Sequence, residues 1–134
     1  MIFEEIQYLK YNIDIENRNI PKQVKEHYYG NREYKLKLID CDAKKIIKRS
    51  SQMLFRLYEG NGKAIYLIGV SDSGNVIGLT INELNTSFNN IIKIIKQSHA
   101  IIKKIKIYKF SADNKTKYIL IIRIYKQLIN IDIQ

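Results

Sequence analysis

Apolar and charged positions alternate from residue 33 to residue 38: Tyr34, Leu36 and Leu38 fall between Glu33, Lys35 and Lys37. A period of two sends the two sets to opposite faces, so the segment reads as a half-buried strand. The period then changes. Ala43, Ile46, Ile47, Ser50, Met53, Leu54 and Leu57 recur at helical spacing, and Lys44, Lys45, Lys48, Arg49 and Arg56 are assigned to the opposite, solvent side. Asp40 or Asp42 can cap the start of this helix, and Gly60 is placed as its stop. Residues 64–70 form a continuous apolar run, as expected for a central strand covered on both faces. A turn at residues 71–74 and a returning strand at 75–79 complete a hairpin.

The next signal is the sharpest in the chain. Thr80 and Glu83 have capping-box spacing, with Leu79 and Leu84 flanking them as a hydrophobic staple. Ile81, Leu84, Phe88, Ile91, Ile92 and Ile95 then give one apolar helix face that runs to about His99. Two β-prone runs follow, about 102–110 and 117–126, joined by a loop at 111–116. The order is β-α-β-β-α-β-β, an α+β fold with two main helices on one face of a mixed sheet. Residues 31–134 are assigned to a single α+β domain and residues 1–30 to a leader, either short helix or linker. In the leader, Ile2, Ile6 and Leu9 line one side of a short helix, and Pro21 starts another helical turn through Val24.

Composition changes the picture at one point, the charge. The net charge is +10, and residues 91–134 hold ten basic and two acidic groups, whereas residues 1–32 hold five of each. A basic stretch of this kind attracts polyanions. The chain also has 27 Ile and 18 Lys against 10 Leu, a bias expected of an AT-rich genome, so part of the lysine excess is compositional. One cysteine, Cys41, excludes an internal disulfide framework. No stretch approaches the ~20 apolar residues of a membrane span, so no membrane partner is expected and the location is read as cytoplasmic.

Nucleotide chemistry finds no motif. There is no G-x-x-x-x-G-K-[ST], and Gly60-Asn61-Gly62 is too short for a dinucleotide fingerprint. The expected partner is RNA, tRNA or ribosome, met by Lys103, Lys104, Lys106, Lys109, Lys117 and Arg123 together with Lys44, Lys45 and Lys48. Tyr108 and Tyr125 lie among these cations and are the candidates for stacking on bases. Tyr34, Tyr66 and Tyr118 are assigned to the core.

Two stretches carry a resemblance. Residues 30–38 match G-N-x-E-Y-K-L-K-L, and residues 52–70 match Q-M-x-[WF]-R-L-x-E-G-x-G-x-A-I-Y-x-I-G-V, with Asp72, Gly74, Gly78, Leu79, Glu83, Leu84 and Ser87 continuing the pattern. The chain thereby resembles the N-terminal domain of the GTP-binding protein 1 and 2 family, translational GTPases related to elongation factor 1-alpha. The resemblance implies an accessory module for RNA, ribosome or protein contact. GTP and Mg²⁺ would belong to the GTPase domain of a longer parent, and no cofactor is expected in the segment itself.

A shorter likeness, Glu33-Tyr34-Lys35 and residues 69–74, is to the AlbA-like domain of Schlafen proteins, some of which cleave tRNA with three acidic residues and a divalent metal. It implies catalytic roles for Glu33 and Asp72 with Mg²⁺ or Mn²⁺. The position of the third acid is Tyr28 in this chain, and Glu26 is two residues out of register. The alternatives are therefore a metal-dependent RNase and a protein-interaction domain.

Overall fold

The computed structural model of the chain describes residues 11–127. The expected helix through Ile2, Ile6 and Leu9 lies outside them. Five strands and two helices follow in the order β1 (Asp14–Glu16), β2 (Arg32–Lys35), α1 (Ala43–Glu59), β3 (Lys63–Ile68), α2 (Ile81–Gln97), β4 (Ala100–Ala112) and β5 (Lys115–Lys126). One sheet holds all five strands in the order β1-β4-β5-β3-β2. The outer pairs, β1 with β4 and β2 with β3, are parallel, and β5 runs antiparallel to both its neighbours. The α+β class with a mixed sheet is as the sequence predicts.

Local signals explain both helices. Asp42 caps α1 by accepting the Lys45 N–H at 2.9 Å, and Gly60 ends it with its N–H on the Arg56 carbonyl at 3.0 Å. The capping box of α2 is complete: Thr80 Oγ1 accepts from Glu83 N at 3.2 Å, and Glu83 Oε1 accepts from Thr80 N at 2.9 Å. Both helices bury the centre of their apolar stripes against one sheet face, where Met53, Leu57, Phe88 and Ile91 meet Tyr66, Ile68, Leu120 and Ile122. Ile47 and Leu54 of α1 and Ile81 of α2, assigned to those stripes by their spacing, lie at the margins and are exposed. The other face has its own smaller core of Ile20, Tyr34, Ile65, Leu67, Val70, Tyr108 and Ile119.

Four expectations are corrected. Residues 75–79 form no strand. Only the isolated bridges Val70 to Val76 and Leu79 to Tyr118 occur, because Gly69, Gly74 and Gly78 all take positive φ and break any extended run. No helical turn starts at Pro21. Residues 21–26 instead strap onto the turn after β3, with Gln23 N donating to Gly74 O at 2.8 Å and Glu26 N to Asp72 O at 2.7 Å. A Cβ on Gly74 would sit 2.0 Å from the Gln23 carbonyl oxygen, so the strap needs glycine there. Residues 14–16, inside the expected leader, are an edge strand of the sheet, and Ile13 is in the main core. Finally, Arg56 is buried and not on the solvent side of α1.

Two boundaries also move. Regular pairing of β2 stops at Lys35, and Leu36 is exposed. Leu38 still enters the core, because Ser87 Oγ accepts its N–H at 3.0 Å and Asn90 Nδ2 donates to its carbonyl at 2.6 Å. The β4–β5 hairpin is longer than predicted and closes on Asp113-Asn114, both at positive φ, as a tight two-residue turn requires.

Candidate nucleic-acid interface

The two acids singled out for catalysis have different surroundings. Glu33 is 2 % exposed, and its Oε1 accepts from Arg56 Nε at 2.8 Å. Lys35 Nζ is 3.4 Å from the other oxygen. Arg56 also donates to the carbonyls of His27, Tyr28 and Gly30 at 3.0, 3.2 and 2.8 Å. Its guanidinium thus ties residues 27–30 to α1, while Glu59 Oε1 accepts the Gly30 N–H at 3.1 Å. This is an architectural use of Glu33. Asp72 is exposed on the turn after β3.

Glu26 lies near both acids. Its Oε2 is taken by the Tyr34 N–H. Burial holds its carboxyl above the usual range, and the charges of Glu33 and Asp72 push the same way. Among the described residues no group of three His, Cys, Asp or Glu is arranged to hold a metal ion.

The predicted cations do not form one surface. Lys104, Lys106 and Arg123 share the sheet face opposite the helices, next to β1. That strand brings acids with it: Glu16 Oε1 is 2.8 Å from Lys106 Nζ, and Asp14 Oδ2 is 3.5 Å from Lys104 Nζ. Arg18 adds a second cation on Glu16 at 2.6 Å, and the bonds from Lys106 and Arg18 hold the Glu16 carboxyl below its usual range. Tyr108 is 7 % exposed, with Arg18 over its ring, so it presents no free face to a base. Lys109 and Lys117 are half-buried toward the hairpin tip. On α1, Lys45 pairs with Asp40 at 2.5 Å, whereas Lys44 and Lys48 are exposed without an ion pair among the described residues.

Two of the predicted residues do come together elsewhere. Lys103 and Tyr125 line a groove of about 930 Å³ where β3 begins, β5 ends and the last turns of α1 pass over the sheet end. Lys63, Lys126, Tyr58 and Leu54 join them. No acidic side chain is among the described lining residues, and none of the three lysines is in an ion pair with a described residue. Tyr58 is 81 % exposed and Tyr125 37 %.

The fold explains the cluster. Tyr58 is left outside the apolar stripe of α1, one position past Leu57, which is buried. The Asn61-Gly62 turn, both residues at positive φ, reverses the chain so that Lys63 starts β3 beside Tyr125. The bulge between Ile102 and Lys104 leaves Lys103 as the extra residue of β4. Sequence periodicity flagged neither Tyr58 nor Lys63. The exposed aromatic one position after the apolar stripe was the one local hint of Tyr58.

No protein-family model matches the chain, and no solved structure matches it. Curated proteins do. Over 68 residues, 51 % of the chain, it is 38 % identical to GTP-binding protein 2 of Homo sapiens and of Mus musculus. Half of this chain is similar to a part of GTP-binding protein 2. It spans 11 % of that protein's length. It is also 32 % identical over 82 residues, 60 % of the chain and 44 % of the relative, to an uncharacterized protein of Acanthamoeba polyphaga mimivirus. Over this half of the chain the similarity supports a relationship to the GTP-binding protein 1 and 2 family, as expected from residues 30–38 and 52–70. No Schlafen protein is named among these relatives. No helix among the described residues is long and apolar enough to cross a membrane.

Proposed function

We propose that this chain is an accessory module of a GTP-binding, translation-factor-like protein and that it contacts RNA, tRNA or ribosomal, through a basic surface, with no GTPase chemistry of its own. The observation that carries the RNA contact is the groove at the sheet end. Three lysines without described acid partners converge there with two exposed tyrosine rings. Free cations recruit phosphates, and exposed rings accept bases. The likeness to GTP-binding protein 2 supports the setting. The parent's GTP chemistry requires a phosphate-binding loop, and no such motif occurs in these residues. An RNase reading is less well supported, since Glu33 is committed to Arg56.

The test is fluorescence anisotropy of labelled tRNA titrated with this protein in EDTA at two salt concentrations. The expected result is binding with a Kd of ~10⁻⁴–10⁻⁶ M, an affinity that falls steeply with salt and is lower still in Lys103→Glu. Absence of binding at low salt overturns the reading and leaves the groove to a protein partner.

A further inference from the structure

We infer that the groove at the sheet end takes an unpaired segment of single-stranded RNA, with a base stacked on the Tyr58 or Tyr125 ring and the flanking phosphates on Lys63, Lys103 and Lys126. The inference rests on the RNA reading above and narrows it to a ligand class and a site. A duplex offers a protein its phosphates and groove edges, and its base faces are stacked away. A surface built for duplex backbone therefore needs cations and has no use for exposed rings. This groove has both. Leu54 and Tyr58 give it an apolar wall, and Tyr125 stands in the same lining. The cations are distributed over three elements, the start of β3, the bulge of β4 and the end of β5. The three lysines thus border the groove along the ends of three neighbouring strands, beside its apolar wall, a combination of aromatic platform and cationic border used for single strands.

The site differs from the other basic surface of the molecule. On the open sheet face, Lys104 and Lys106 face Asp14 and Glu16, and Tyr108 is covered. Phosphate arriving there competes with carboxylates already in place. At the sheet end, no described carboxylate needs to be displaced.

The experiment uses a short single-stranded RNA carrying one 2-aminopurine, and the same sequence annealed into a duplex. Binding of the single strand is expected to quench the 2-aminopurine emission, and the single strand should bind more tightly than the duplex at equal salt. Tyr58→Ala with Tyr125→Ala is expected to weaken single-strand binding about tenfold or more, and Tyr58→Phe with Tyr125→Phe to restore it, because the ring is kept. Both tyrosines reach solvent, and circular dichroism of the variants confirms the fold. Duplex binding equal to single-strand binding, or an alanine pair that binds like the parent chain, overturns the stacking site. The broader RNA reading then still stands if Lys103→Glu weakens binding, and falls with it if no RNA binds at all.

Discussion

Arg56 Nε lies 2.8 Å from Glu33 Oε1, and the two side chains, on α1 and β2, are 4 % and 2 % exposed. The pair ties β2 to α1 across 23 residues of sequence, and the same guanidinium holds three carbonyls of residues 27–30. Removing one partner strands a buried charge, which costs about 3–5 kcal/mol. Glu33→Ala and Arg56→Ala should therefore each lower the unfolding free energy in urea by about that amount, a large share of a typical domain's ~5–15 kcal/mol. A loss below about 1 kcal/mol would show that water satisfies the remaining charge.

Glu26 makes stability depend on pH in the opposite sense from Glu16, Asp40 and Glu83. Burial raises its folded-state value above the unfolded one, so the folded chain holds the proton more tightly. Stability from this group falls as pH rises from the ordinary Glu value of about 4.3 through the raised one. Glu83, held low by the Thr80 backbone bond, and Glu16, held low by Lys106, act with the other sign and lose stability as pH falls. In Glu26→Gln the amide oxygen can still accept the Tyr34 N–H. Its stability relative to the parent chain should improve from acid to neutral pH; urea melts of both at the two ends of that range check the sign.

The capping box gives a local test. Thr80→Ala removes the acceptor for the Glu83 N–H and should destabilise the chain by about 1 kcal/mol. Thr80→Ser keeps the hydroxyl and should lie within a few tenths of the parent. Thermal unfolding followed by circular dichroism measures both.

On the proposed RNA contact, the three groove lysines would set the salt dependence of binding. If Lys63, Lys103 and Lys126 each take one phosphate of a single strand, log K should fall against log salt with a slope of about −2, and a fourfold rise in salt should weaken binding about twentyfold. Neutralising Lys103 with Gln should flatten the slope by about 0.7. Anisotropy titrations over a salt series give both numbers, and an unchanged slope in Lys103→Gln would remove that phosphate contact.

The acids of β1 restrain the open sheet face. Glu16→Gln with Asp14→Asn frees Lys106 and Lys104 and should raise low-salt RNA affinity without changing the 2-aminopurine signal from the groove. A fall in affinity would mean that β1 orders this face for binding.

Legibility in the sequence followed the range of the interaction. A cap at Asp40 or Asp42, the caps at Gly60 and Thr80, the centres of both helical apolar stripes and the burial of Tyr34, Tyr66 and Tyr118 were readable, because each is decided within a few residues or by one face of one element. The mixed α+β sheet followed from the order of those elements. The strand expected at 75–79 failed because glycines at 69, 74 and 78 adopt positive φ, which composition permits and does not dictate. Arg56 was misplaced because helical periodicity counts a cation as solvent-facing, whereas its partner Glu33 is 23 residues away. The candidate site shows the same division. Lysine content raised the expectation of a polyanion partner. Only the folded sheet decided which lysines are neutralised, by setting β1 beside β4, and which stay free, by bringing Lys63, Lys103 and Lys126 to one end. Pairing in space depends on strand register and sheet order, and neither is a property of any short stretch of sequence.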